Sequence, residues 1–190
     1  MLDTKKTIQN LIAHVEHLTI KIGERSVSKI WRLEESAQYI EAFYKTNHIQ
    51  PRREPYEYRG ETVSNIVADI IMGDGSGKIF LVGAHYDSVR GTVGADDNAS
   101  AISVQLEVAK ELARRKGSEK LNHTIKMVSF PLEEPPVYGT RKMSSRVYAR
   151  KARKAKERID GMICLEMVGY TCHEPGCQSF PFPLMFMGYP

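Results

Sequence analysis

The run Ile79-Phe80-Leu81-Val82-Gly83-Ala84-His85-Tyr86-Asp87-Ser88 decides the architecture. Six apolar or small residues in succession, without polar alternation, suit a strand covered on both faces, and such strands belong to sheets sandwiched between helices. The run then stops on an imidazole and a carboxylate. In open α/β sheets ligands gather beyond the carboxyl ends of the strands, so His85 and Asp87 mark where chemistry is expected.

Working outward, residues 62–71 carry Val63, Ile66, Val67, Ile70 and Ile71, and the glycine-rich stretch 73–77 separates them from residue 79. Glycine tolerates positive φ, so this pattern predicts a hairpin of two strands. It lacks the Lys-Ser/Thr of a phosphate loop. Downstream, Ile102, Leu106, Val108, Ala109 and Leu112 predict a helix over 98–116, followed by a strand over 124–132, a basic helix and a strand over 161–168. Strands alternating with crossover helices give an α/β fold, its sheet mixed but mostly parallel, with helices on both faces. Upstream, Ile8, Leu11, Ile12, Val15, Leu18 and Ile22 form the stripe of one helix, which also carries His14 and His17 as expected partly exposed histidines. A second helix is expected over 33–47, with Tyr39, Ile40 and Phe43 packing, Trp31 as an anchor and Pro51 barring continuation. Residues 1–50 therefore read as a helical segment leading into a core over 60–180, the whole a single incomplete domain.

The chain has 190 residues, with 42% apolar and 26% charged residues, 14 Gly and 9 Pro, which excludes fibrous, low-complexity and wholly disordered classes. No apolar run approaches the roughly 18 residues of a membrane span and no signal-peptide core is visible, so a cytoplasmic, membrane-free protein is expected. Three cysteines, Cys164, Cys172 and Cys177, do not suggest a disulfide framework. Residues 141–158 hold nine basic side chains against Glu157 alone, a local +8 in a chain whose total is +4. Met143, Val147 and Tyr148 recur there at helical spacing without aromatic platforms, which predicts a solvated helix face and no nucleic-acid partner.

Each strand end carries polar groups suited to a cation. His85 and Asp87 follow the first strand, Asp96 and Asp97 open the next helix, Glu133 and Glu134 close the strand over 124–132, and Glu166 follows the last. Zinc takes imidazole nitrogen and carboxylate oxygen, and a second zinc requires a carboxylate able to bridge. On this reading His85 supplies the nitrogen, Asp96 bridges, and Glu134 and Glu166 supply terminal oxygens. Asp87 accepts the other imidazole N–H, and Glu133 is left free to take a proton from water. So many acids together would repel one another without a cation.

His85-Tyr86-Asp87-Ser88, Gly94-Ala95-Asp96-Asp97-Asn98-Ala99-Ser100-Ala101, Glu133-Glu134-Pro135-Pro136 and Leu165-Glu166-Met167-Val168-Gly169-Tyr170 together resemble the successive signatures of the co-catalytic di-zinc aminopeptidases, a family that also embraces glutamate carboxypeptidases and glutaminyl cyclases. The resemblance implies a three-layer zinc-exopeptidase sandwich, two zinc ions and a peptide substrate cleaved at its N-terminal amide bond. Carried over by position, it makes His85, Asp96, Glu134 and Glu166 metal ligands, with Asp96 the bridge, Glu133 the general base and Asp87 the support of His85. It also suggests a cis peptide between Asp96 and Asp97. The family places Asp where this chain has Glu166, and its last ligand is a His far downstream, whereas Pro190 follows Glu166 by only 24 residues. His173 lies too close to Glu166 to match it and reads as a surface histidine. The expectation is therefore a domain lacking its C-terminal part, a weak second zinc site, and a chain that is inactive if the missing ligand is essential. The apolar stretch 180–187 is expected to drive self-association. Glutaminyl-cyclase-like acyl transfer, or a non-catalytic metal-binding or interaction module, are the alternatives.

Overall fold

The computed structural model of the chain describes residues 3–116, 121–174 and 177. Helix α1 (Thr4–Glu16) is capped by the Asp3 carboxylate, which accepts from the Lys6 N–H. It runs on through a π-helical turn, His17–Ile22, whose extra residue shifts the phase of the apolar stripe. Leu18 and Ile22 reach the core, but Ile8 and Ile12 are about half exposed, at 51% and 53%. The buried residue of α1 is instead His14, so the expectation for that histidine is corrected. Helix α2 (Ile30–Thr46) buries Leu33, Ala37, Ile40 and Tyr44 at three- and four-residue spacing. Trp31, two positions before Leu33, lies on the opposite side and is 58% exposed rather than an anchor.

Five strands, β1 (Pro51–Tyr58), β2 (Glu61–Ile71), β3 (Ile79–His85), β4 (Thr124–Phe130) and β5 (Gly161–Cys164), form one sheet in the order β1-β2-β4-β3-β5. The sheet is mixed. β1 with β2 and β2 with β4 are antiparallel, whereas β3 pairs in parallel with β4 and β5. The hairpin expected between β2 and β3 does not form, because β4 lies between them. The true hairpin joins β1 to β2 through Arg59 and Gly60, both at positive φ (52° and 85°) as a two-residue turn of matching twist requires. β1, with two prolines and four charged residues, carries no strand signature; it is tolerated because an edge strand need not donate every N–H.

Helix α3 (Ala101–Arg115) crosses from β3 to β4, and α4 (Ser144–Lys154) from β4 to β5. Alternate strand residues face opposite layers. Ile66, Ala68, Ile70, Val82, Ala84 and Met127 meet α2, α3 and the π-helical turn. Val67, Leu81, Val128 and Phe130 meet Tyr148 and Ala152 of α4. The result is a three-layer α/β sandwich. Polar bonds add to the apolar contact: Gln105 of α3 donates to the Val82 and Val128 carbonyls and accepts from Ser129 Oγ, so its buried amide is fully engaged. α4 buries Val147, Tyr148 and Ala152. Several of its neighbouring cations serve as straps: Lys142 and Lys151 donate to the Glu57 and Pro55 carbonyls of β1, and Arg150 to that of Arg141.

β5 ends at Cys164, short of the predicted 168, because Asn98 and Ser100 capture the N–H groups of Met167 and Val168. Cys172 and Cys177 form a disulfide, leaving Cys164 as the free thiol. That local pair was not expected. His173 is exposed. The stretch 180–187, on which self-association was expected to depend, lies outside the described residues. Among the described residues no helix is long and apolar enough to cross a membrane.

Candidate metal centre

Most of the acidic groups of interest are delivered by a strand end or the turn after it, and Asp97 by the segment Ala95–Ser100 that leads into α3. β3 ends on His85, which is 3% exposed, and two residues later the chain buries Asp87 completely. Asp87 Oδ1 lies 3.1 Å from His85 Nδ1. A carboxylate only accepts, so this contact holds a proton on Nδ1 and makes Nε2 the atom presented to the neighbouring oxygens, and the one that a cation would use once its proton is displaced. Asp87 also accepts from the N–H groups of Glu133 (2.9 Å) and Glu134 (3.0 Å), tying the turn after β4 to the end of β3. Ser144 at the start of α4 braces the same turn by exchanging hydrogen bonds with both backbone groups of Leu132.

His85 Nε2 faces a set of oxygens. Asp97 Oδ1 is 3.1 Å away, Glu166 Oε1 3.3 Å and Glu133 Oε2 3.9 Å. Glu166 is steadied by Asn98 Nδ2, which donates to its Oε2 and to the Leu165 carbonyl. Glu134, 7% exposed, completes the group. Among the described residues its buried Oε1 receives no hydrogen bond, while the Asp97 Oδ1 faces His85 Nε2. Among the described residues, two triads, His85-Asp97-Glu166 and His85-Glu133-Glu134, each hold their donor atoms within 4.8 Å of one another.

The structure brings together His85, Asp87, Glu133, Glu134 and Glu166, but Asp96 is not among them. The Asp96 carboxylate turns away, accepting from Ser100 Oγ and from the Gly169 N–H at 2.8 Å. Its neighbour Asp97 takes the inward position. The cis peptide likewise falls one residue later than expected, between Asp97 and Asn98. The physical reason is that Asp97 is not helical (φ −101°, ψ 92°). In such a nearly extended segment adjacent side chains point to opposite sides, and two consecutive aspartates are indistinguishable until the backbone is known. Asn98 and the buried Arg25 were also not foreseen. The Asp-Asp-Asn sequence at a helix start signals capping rather than an inward-facing carboxylate and its holder, and an isolated arginine in a polar stretch carries no signal.

The electrostatics follow from crowding. Burial opposes charge on His85, but hydrogen bonds to Asp87, Asp97 and Glu166 outweigh it and raise the pKa to about 12. Burial, followed by the negative charge of Asp97, pushes Glu134 up to about 7. Burial also raises Glu133, with Asp87 and Glu166 adding to it against the opposing pull of His85. His85 holds the Asp97 carboxyl below its ordinary range despite burial. A divalent cation relieves this mutual repulsion. Donors about 2.1 Å from a tetrahedral zinc sit roughly 3.4 Å apart, close to the 3.1 and 3.3 Å separating His85 Nε2 from Asp97 and Glu166. The nitrogen-and-oxygen donor set, the spacing and the unpartnered Glu134 oxygen therefore fit zinc.

Residues 65–181 match the sequence profile of peptidase family M28. The chain is 33% identical over 184 residues to the uncharacterized protein YfbL of Escherichia coli (strain K12), an alignment covering 93% of this chain and 54% of that one. It thus spans about half the length of this curated relative. Among solved structures it resembles Porphyromonas gingivalis glutaminyl cyclase (TM-score 0.67, 22% identity, 85% of this chain and 59% of that one). It equally resembles BSAP, a zinc aminopeptidase from Bacillus subtilis (TM-score 0.67, 15% identity, 85% and 69%). At these identities the two structures speak to the fold.

Proposed function

Because the chain belongs to peptidase family M28, we propose that it contributes the metal centre of a zinc-dependent aminopeptidase, which hydrolyses the N-terminal amide bond of peptides. The observation that carries this reading is the convergence of Asp97, Glu166 and Glu133 on His85 Nε2, beside the undonated Glu134 Oε1. His85, Asp97 and Glu166 would hold one zinc ion, and Glu134 with Asp97 would contribute to a second. When bound, zinc polarises the scissile carbonyl and lowers the pKa of the attacking water towards about 7.

The remaining work falls to side chains of this chain. Glu133 is partly exposed (28%) beside the buried His85 and Glu134, so substrate and solvent can reach it. It accepts the proton of the attacking water and returns it to the departing amine. Asp87 holds His85 in the tautomer that presents Nε2. The excess of carboxylates over imidazole favours a substrate bearing a positive charge, which an unblocked peptide N-terminus supplies.

The test combines metal analysis with turnover of aminoacyl p-nitroanilides. Glu133→Gln should retain zinc and lose hydrolysis by 10²-fold or more, on the order expected for a general base. Cleavage at the unaltered rate would remove Glu133 from this role, and failure of the unaltered chain to take up zinc would remove the metal centre itself.

A further inference from the structure

Arg25 has no accessible surface, and the proton-transfer scheme does not use it. Among the described residues no carboxylate is hydrogen-bonded to it. Its guanidinium instead donates to five backbone carbonyls: Nε to Tyr86 at 2.7 Å, Nη1 to Leu18, Gly23 and Val93 at 2.9, 3.0 and 2.8 Å, and Nη2 to Gly94 at 3.0 Å. Its own N–H donates to Ser88 Oγ. Burial pulls its pKa down to about 10, with the charges of Asp87 and Asp97 pulling the other way. A cation buried in this way is costly unless it is fully hydrogen-bonded, and here the carbonyls meet that need while the charges of Asp87 and Asp97 favour it.

The positions of those carbonyls indicate the use. Tyr86 separates His85 from Asp87, while Val93 and Gly94 lead into Asp97. One rigid planar group therefore clasps both ends of the loop 86–94 and ties them to the turn after α1. Gly94 is fitted to this clasp. It sits at φ +54°, and a Cβ there would collide with the Asp97 carbonyl and come within 3.0 Å of Arg25 Nη2. We infer that Arg25 is a positioning residue for the metal centre, setting the distance between the His85–Asp87 pair and Asp97. Lysine, a point charge with three donors on a flexible stem, cannot span both loop ends at once.

This inference rests on the metal reading above, and the experiment separates the two. Zinc dissociation constants are measured by chelator competition for the unaltered chain, His85→Ala, Arg25→Lys and Arg25→Gln, together with the visible spectrum of bound Co²⁺, well below each variant's unfolding midpoint. Arg25→Lys and Arg25→Gln are expected to remain folded but to bind zinc about 10- to 100-fold more weakly, the range seen when a metal ligand loses its orienting partner. The Co²⁺ bands should shift as the donor geometry loosens. A merely structural role would lower the melting temperature while leaving the dissociation constant and spectrum of the folded variants unchanged, and that result overturns the inference. So does failure of both variants to fold with or without zinc, which would assign Arg25 to the core alone. Should the unaltered chain bind no more zinc than His85→Ala, the metal reading itself falls, and the inference with it.

Discussion

Replacing Asp87 by Asn changes one atom type in a fully buried side chain and separates folding from metal binding. Asp87 Oδ2 accepts the N–H groups of Glu133 and Glu134, and Oδ1 faces His85 Nδ1. An asparagine that keeps its oxygen towards the two backbone donors must direct its NH₂ at the imidazole. His85 then accepts on Nδ1 and carries its proton on Nε2, the atom that faces Asp97 and Glu166. The two backbone bonds change from charge-assisted to neutral, a loss of about 1 kcal/mol each and roughly 2 kcal/mol in total. Zinc affinity should fall 10- to 100-fold, equivalent to about 1.4–2.8 kcal/mol. Urea denaturation of the zinc-free chain measures the first loss, and calorimetric titration with zinc measures the second. An Asp87→Asn variant binding zinc as tightly as the unaltered chain would refute the assignment of Asp87 as the residue that orients His85.

The two aspartates before Asn98 should behave differently: Asp97→Asn should weaken zinc binding at least tenfold, while Asp96→Asn should leave the dissociation constant within about threefold, and the reverse outcome in titration would restore Asp96 to the site. Gly94→Ala should lower stability by at least about 1–2 kcal/mol, the cost of a side chain at positive φ, read as a reduced urea midpoint. Burial lowers the pKa of His14 below its ordinary value of 6.5, against the raising influence of Glu107. The unfolded chain therefore binds this proton first, and stability is full above about pH 6.5 and declines as pH falls through the lowered folded-state value. His85 and Glu134, whose folded-state values are raised, act in the opposite direction over the same interval, so the test is a difference: between pH 7.5 and pH 5.5 the urea midpoint of His14→Gln should change in a more stabilising sense than that of the unaltered chain, and identical changes in the two would exclude His14. Under oxidising conditions a thiol reagent should titrate Cys164 alone, and all three cysteines after reduction and unfolding.

Much of the fold was legible because buried strands announce themselves. Residues 79–84 are an apolar run and residues 124–130 carry Ile125, Met127, Val128 and Phe130, and both are strands covered on two faces. What the sequence concealed was pairing: a glycine-rich connection suggests a hairpin, yet nothing local records that β4 inserts between β2 and β3. β1 was hidden for the opposite reason, since an edge strand tolerates prolines and charges that an interior strand excludes. In the candidate metal centre, the meeting of His85, Glu133, Glu134 and Glu166 was legible from chemistry at strand ends, and the contact of Asp87 with His85 from their spacing. The choice between Asp96 and Asp97 was not, because it depends on a single backbone conformation. Arg25 was invisible, since its partners are carbonyl oxygens that any residue provides.

The sheet order has a consequence for how the ion and the chain depend on one another. His85 and Glu166 stand 81 residues apart along the polypeptide and meet only because β5 pairs with β3. No short segment carries the full donor set, so an ion held by these residues recognises the native chain and not its unfolded ensemble. Such an ion acts as ballast: at a hundred times its dissociation constant it adds about 2.7 kcal/mol to the unfolding free energy. Resistance to heat and proteolysis should then rise with free zinc, and substitutions remote from His85 should alter apparent zinc uptake only insofar as they change the fraction of chains that are folded.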